Sequence, residues 1–249
     1  MALEDRKSWV QGRAETAAVV DQGLRSYMLK VYNYMASGVL LSGIMALMVQ
    51  AGPLRPLFFQ QIAGAPPGVA GPTPLMWGAV IGVLIMGFVL PMGINRMKAT
   101  TAQALFWVYA ALMGVMLSSV LEAYTGASVA RVFFITTASF AGLSLYGYTT
   151  KRDLSAFGRF LVMGMIGLLI AIVVNMFMAS DTLSFVISVV GVLIFAGLTA
   201  WDTQKIKEMY LDDDHPEIAK KKAVMGALML YIDFVGLFIH LIHLLGNRE

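Results

Sequence analysis

Seven apolar stretches, each close to the length of a membrane-crossing helix, follow one another along the chain. They cover Val31–Val49, Leu75–Ile94, Ala102–Leu121, Val129–Tyr148, Phe157–Met178, Leu183–Asp202 and Ala223–Leu245. At ~1.5 Å of rise per residue, about 20 residues cross a hydrocarbon core of ~30 Å. The pattern predicts an all-α integral membrane protein with seven transmembrane helices. The fifth and sixth stretches are separated by Ala179-Ser180-Asp181-Thr182 alone, so a tight antiparallel hairpin is expected there. The first two are joined by GPLRPLFFQQIAGAPPGVAGPTP (52–74), whose Pro and Gly content predicts a loop without regular structure. Residues 1–28 lack the apolar core of a signal peptide and do not begin as a myristoylation site. They read as a cytosolic tail, with 29–249 as one membrane domain.

Composition sharpens this. Charged residues make up 13% of the chain, half of the roughly 25% usual in soluble domains, which removes the soluble classes. Without cysteine there are no disulfides, thiolate metal sites or Cys nucleophiles. The net charge of +3 is not a nucleic-acid signal, because the Lys and Arg residues sort by side of the membrane. With the N-terminus inside, fifteen of them fall in the tail and in the connections after the second, fourth and sixth stretches. Arg55, Arg131 and Arg248 fall on the other side. That asymmetry predicts a cytosolic N-terminus and an exocytoplasmic C-terminus. Glycines inside the stretches (Gly38, Gly114, Gly142, Gly164, Gly167, Gly191, Gly197, Gly226) read as close helix contacts. The 18 methionines read as packing filler rather than copper ligands.

Two carboxylates interrupt the last two stretches: Asp202 in FAGLTAWDTQKIK and Asp233 in ALMLYIDFVGLFIHLIHLLG. An Asp at a helix centre costs ~2.5–3.5 kcal/mol on insertion scales and usually faces a cavity or a partner. The sixth stretch runs inward and the seventh outward, so both carboxylates can lie in the cytosolic half. Counting leaves a mismatch: Asp233 falls ~15 Å past Ala223, whereas Asp202 sits near the cytosolic edge. Two carboxyls in contact do not readily both ionise, so the pair would share a proton in one state and lose it in another. The deprotonated pair would attract a hard cation such as calcium.

Arg96, at the cytosolic end of the second stretch, stands at the level of Asp202. It is either an ion-pair partner for that carboxylate or an anchor that snorkels to the headgroups. As a partner it would favour ionised Asp202, and exchange of Asp202 between Arg96 and Asp233 would make a pH-sensitive gate. His240, seven residues past Asp233 and ~20° from it around the helix, either extends a polar track outward or, with His243, approaches the external interface; the interface is the preferred reading. Glu122 reads as an interfacial charge rather than an outer-mouth residue. The run Asp212-Asp213-Asp214-His215-Pro216-Glu217 lacks the spacing of an EF-hand loop and reads as a solvated turn with Asp214 as a helix cap.

Three segments then carry a resemblance: YTGASVARVFFITTASFAGLSLYGYTTKRDLSAFG (124–158), AWDTQKIK (200–207) and ALMLYIDFVGLFIHLIHLLG (227–246). On these the chain resembles the bacterial-type members of the Bax inhibitor-1 family, also called the transmembrane Bax-inhibitor-motif family, over about residues 25–246. The resemblance implies seven helices, six of them around a central C-terminal one, and a pH-sensitive calcium leak. The family's aspartate pair falls on Asp202 and Asp233, and its arginine latch falls on Arg96. One difference is that the second stretch holds no carboxylate, where some relatives carry a Glu. The expectation is a calcium leak channel or sensor of a bacterial plasma (inner) membrane. It needs no cofactor and is not an enzyme. Its partners are the lipid bilayer, calcium or protons, and other membrane proteins.

Two other readings compete. A non-transporting regulator of membrane-protein quality control or stress survival would need partner proteins but no ionisable aspartates. An intramembrane aspartyl protease would use the same shared proton to activate water, but LYID stands where such enzymes carry G-x-G-D, and no Pro-Ala-Leu follows. A serine version, with Ser144 and either His240 or His243, is weaker, because small and hydroxyl residues are what helix packing calls for.

Overall fold

The computed structural model describes residues 2–62 and 70–247, with the side chains of the first helix from Asp21 onward. In chain order the elements are α1 (Ala2–Gln50), α2 (Arg55–Phe58), β1 (Phe59–Gln61), β2 (Ala70–Pro72), α3 (Pro74–Gly93), α4 (Ala99–Glu122), α5 (Gly126–Thr149), α6 (Ser155–Met178), α7 (Asp181–Glu208) and α8 (Pro216–Leu245). Seven of these helices are long and apolar enough to cross a membrane, the first from Asp21. The protein is an all-α, multi-pass integral membrane protein with one small hairpin. α1 runs unbroken across the boundary expected between tail and membrane domain; Met1 lies outside the described residues.

Local chemistry sets the helix ends. Thr73, Thr125 and Ser180 each accept a hydrogen bond from a backbone N–H of the first turn that follows, opening α3, α5 and α7. In the α6–α7 turn, Ala179 adopts the left-handed conformation (φ 47°, ψ 40°). Asn175 locks this turn, its Oδ1 accepting from Ser180 N (3.1 Å) and its Nδ2 donating to Ser184 Oγ (2.7 Å). The expected tight hairpin forms, and α7 already begins at Asp181.

Two expectations are corrected. The 52–74 connection is not structureless: it holds α2 and an antiparallel ladder pairing Phe59 with Pro72 and Gln61 with Ala70. Thr73 closes it, donating from its backbone N to Phe58 O (2.9 Å) and from its hydroxyl to Leu57 O (2.7 Å); residues 63–69 at the tip lie outside the described residues. Asp214 does not cap α8. It pairs with Lys222 (Nζ–Oδ2 2.6 Å), and His215 is the cap. Glu217 instead reaches across to α4, whose first N–H, at Ala99, donates to its Oε1 (2.7 Å).

α8 packs against α1, α4, α5 and α7, while α3 rests on α4 and α6 on α7. Four helices, rather than six, therefore make its main contacts. Close approach decides where small residues must stand. A Cβ at Gly114 would meet the Ser42 carbonyl at 2.5 Å, and one at Gly147 would run into the Ala200 carbonyl. Gly142 and Gly167, expected to serve the same purpose, face open space. The α1–α4–α8 junction centres on Ser42, whose Oγ lies 2.7 Å from Ala110 O and 2.6 Å from the buried Tyr231 hydroxyl. Phe106 and Tyr109 set their rings edge-on to Tyr231, at 5.8 and 5.9 Å between centroids.

Candidate functional site

Asp202 and Asp233 face each other across the α7–α8 interface. Both are buried, with 8% and 3% exposure, and their carboxyl groups lie within hydrogen-bond reach of each other. Asp202 Oδ1 and Asp233 Oδ2 are buried and have no hydrogen-bond partner among the described residues. Two carboxylates at contact distance repel unless a proton stands between them, so the arrangement is that of a one-proton pair. The depth mismatch disappears because both helices overrun their apolar stretches. α7 continues past Asp202 to Glu208 and α8 begins at Pro216, well before Ala223. By helical rise Asp202 is ~9 Å from its helix end and Asp233 ~26 Å from its helix start. The connection 209–215 spans the difference.

Three neighbours hold the C-terminal half of α7. Gly147 of α5 abuts the Ala200 carbonyl, Gly158 of α6 lies under the Trp201 ring, and Gly226 of α8 meets Ile206. A hydroxyl chain ties the same segment to α5 and α1: Thr203 Oγ1 donates to Thr199 O (2.7 Å) and meets Ser144 Oγ (2.9 Å), which meets Tyr32 OH (2.6 Å). Buried Gln204 clamps the α5–α6 connection, accepting from Leu154 N and donating to Arg152 O, both at 2.8 Å. Lys207 Nζ donates to Tyr148 O (2.9 Å). Thr203, Gln204 and Tyr32 are not singled out by the sequence, whereas Gly226 is expected there as a close helix contact and Ser144 only as the weaker serine nucleophile. The signal that marks Thr203 and Gln204 is the density of polar residues, Thr199, Asp202, Thr203 and Gln204, at the end of an otherwise apolar stretch.

The remaining candidates fall elsewhere. Arg96 sits exposed in the turn after α3, its backbone N donating to Gly93 O (2.9 Å), and among the described residues it forms no ion pair. It does not hold Asp202 in this structure, because α3 makes its helix contact with α4 rather than with α7. The cation whose charge reaches Asp202 is Lys205, one turn further along α7, with its ammonium 4.9 Å from the Trp201 ring centroid. His240 is buried rather than interfacial: it stacks on Phe195 (5.6 Å, 29°), and its Nδ1 has no partner. The Phe195 ring also abuts Gly236, so an aromatic ring stands between His240 and Asp233 along α8. His243 is exposed, beside Tyr124. Glu122 is at the opposite end of the bundle, in a two-bond ion pair with Arg55 (2.5 and 2.9 Å). That contact holds the Arg55 guanidinium above its usual pKa.

The carboxyl pair offers at most four oxygens, whereas calcium takes six to eight. Among the described residues no three His, Cys, Asp or Glu side chains form a metal-holding group. The carboxyl pair alone therefore does not complete the shell of a resident calcium ion.

Comparison with known proteins bears on the whole chain. The family model described as "Inhibitor of apoptosis-promoting Bax1" matches residues 24–249. An uncharacterized protein of Rickettsia prowazekii is 48% identical over 230 residues, 92% of each chain. The inner membrane protein YbhL of Escherichia coli is 38% identical over 241 residues, 95% of this chain and 98% of its own. An uncharacterized membrane protein of Streptococcus pyogenes is 34% identical over 229 residues, 92% of this chain and 96% of its own.

Proposed function

The chain belongs to the Bax inhibitor-1 family, and from that premise we propose that it is a pH-sensitive cation leak of a bacterial inner membrane, with calcium as the permeant ion. The buried contact between Asp202 and Asp233 carries this reading. While one proton is shared, the carboxyls hold α7 against α8. Loss of that proton leaves two negative charges in contact, a repulsion of ~4 kcal/mol at 4 Å and an effective dielectric of 20. The pair then separates and offers both carboxylates to a cation. Arg96 is the group that takes up Asp202 in the separated state. In support, α3 is held mainly by α4, and Pro91 removes a backbone bond from its last turn, so movement there breaks few contacts. On the topology read from Lys and Arg, the pair faces cytosolic pH.

Calcium flux into dye-loaded proteoliposomes, followed from acidic to mildly alkaline pH, tests this. Flux should rise with pH in the wild type, lose its pH dependence in Asp233→Asn, and fall in Arg96→Gln. A pH profile that survives both Asp202→Asn and Asp233→Asn would refute the proposal.

A further inference from the structure

A cleft opens sideways from the bundle between α1 and α5. Both helices rest on α8 rather than on each other, and the Tyr32–Ser144 hydrogen bond (2.6 Å) bridges them. The cleft encloses about 1040 Å³ over a floor that includes Phe234. Past Gly43 and Phe133 it continues into a second recess of about 360 Å³. Its α1 wall runs from Arg25 to Leu47, ~33 Å by helical rise, which matches a ~30 Å hydrocarbon core. Apolar walls do not retain water, so in a bilayer hydrocarbon chains fill this space.

The end of the cleft decides which chains. Arg25 lines it at the end of the bundle that carries the Lys and Arg surplus. Tyr148 lines the opposite wall there, and the Lys207 ammonium stands 5.4 Å from the Tyr148 ring centroid. Among the described residues neither Arg25 nor Lys207 pairs with a carboxylate. An apolar groove of membrane depth, lined at one end by Arg25 and by Tyr148 with the Lys207 ammonium against that tyrosine, is complementary to an anion carried on long hydrocarbon chains. We propose that the α1–α5 cleft binds one anionic phospholipid, its acyl chains along α1 and α5 and its phosphate between Arg25 and Lys207. This stands whether or not the protein conducts calcium.

The full chain, extracted from vesicles of equal phosphatidylglycerol and phosphatidylcholine, can be weighed intact with its retained lipid by native mass spectrometry. The wild type should keep one phospholipid, with phosphatidylglycerol preferred about fivefold, the scale of one basic residue at an anionic surface. Arg25→Gln with Lys207→Gln should bring that ratio to about one. A Cβ built at Gly43 meets nothing within 4 Å and Gly43 lines the cleft, so Gly43→Phe places its ring in the cleft and should expel the lipid at unchanged thermal stability. Equal retention of both lipids by the wild type, or no more lipid than Gly43→Phe keeps, would overturn the site. So would a disulfide-linked dimer of Gly43→Cys in this cysteine-free chain, because a second copy would then occupy the cleft; the variant should stay monomeric.

Discussion

His240 lies flat against Phe195 in the space that Gly191 leaves open, with ring centroids 5.6 Å apart and planes 29° apart. A Cβ at position 191 would meet three atoms of the imidazole at 2.5 Å, so α7 and α8 can pack at this distance only around a glycine. Gly191→Val should lower stability by ~1–3 kcal/mol, the usual cost of overpacking, read as a lower unfolding temperature in detergent. His240→Ala removes the obstacle, so the double variant should recover part of that loss, with a coupling of ~0.5–3 kcal/mol. Additive losses would mean that the imidazole is not what the glycine accommodates.

Gln204 fastens the α5–α6 connection to the segment that carries Asp202, through both ends of one amide. Gln204→Ala leaves the Leu154 N–H and the Arg152 carbonyl without those partners, at ~1–3 kcal/mol where they stay dry.

 The connection should then exchange its amide protons faster, with little change elsewhere in the bundle. Exposed Asp153 adds a pH dependence to the same turn, because hydrogen bonds from Ser155 hold its carboxyl below the usual range. A lowered folded value contributes stability that is present above the unfolded value and is lost as pH falls through the folded one. The turn should therefore loosen only in acid below the ordinary aspartate range, and Asp153→Asn should remove that transition from a hydrogen-exchange profile.

At the opposite end, Arg55 and Glu122 join the hairpin to the end of α4. Both side chains are about one-third exposed, at 37% and 34%, so the pair is worth ~0.2–1 kcal/mol and weakens with salt. Arg55→Ala should raise protease sensitivity within 55–72 more than it lowers the global unfolding temperature. Glu122 raises the Arg55 pKa, and a raised folded value gives stability that is complete below the unfolded value and is lost only as pH rises through the folded one. Titration of Arg55 should therefore leave the hairpin unchanged through the neutral range and release it only in strong alkali.

The seven spans and the two interrupting aspartates are legible in the sequence, because long apolar runs and buried charge are properties of single segments. The partners of those charges are not. Arg96 and Asp202 share an end of the bundle, but reaching each other also requires α3 to border α7, and α3 packs on α4 instead. His240 carries the same ambiguity: only the opposing Gly191 shows that a histidine near the end of an apolar helix is buried. Asp214 looked like a cap by its place before Pro216, yet Lys222, two turns into α8, takes it. Side-chain pairing depends on which helices become neighbours, and hydrophobic periodicity does not specify that for spans that are apolar nearly all round.

The hydroxyl chain beside the aspartates has a direction. Thr203 Oγ1 gives its proton to Thr199 O, so it accepts from Ser144, and Ser144 in turn accepts from Tyr32. Removing the first donor, as in Tyr32→Phe, leaves Ser144 still donating to Thr203 and should cost ~0.5–1.5 kcal/mol. Ser144→Ala takes the acceptor from half-buried Tyr32 and the donor from buried Thr203, which keeps its own bond to Thr199 O, and should cost more, ~1–3 kcal/mol. Combined, the two changes should cost less than their sum, because the Tyr32 hydroxyl has lost its partner once Ser144 is gone. Thermal unfolding of the three variants in one detergent measures this. Equal losses for the two single changes, or strict additivity, would mean that the hydroxyl chain does not join α1, α5 and α7 next to Asp202.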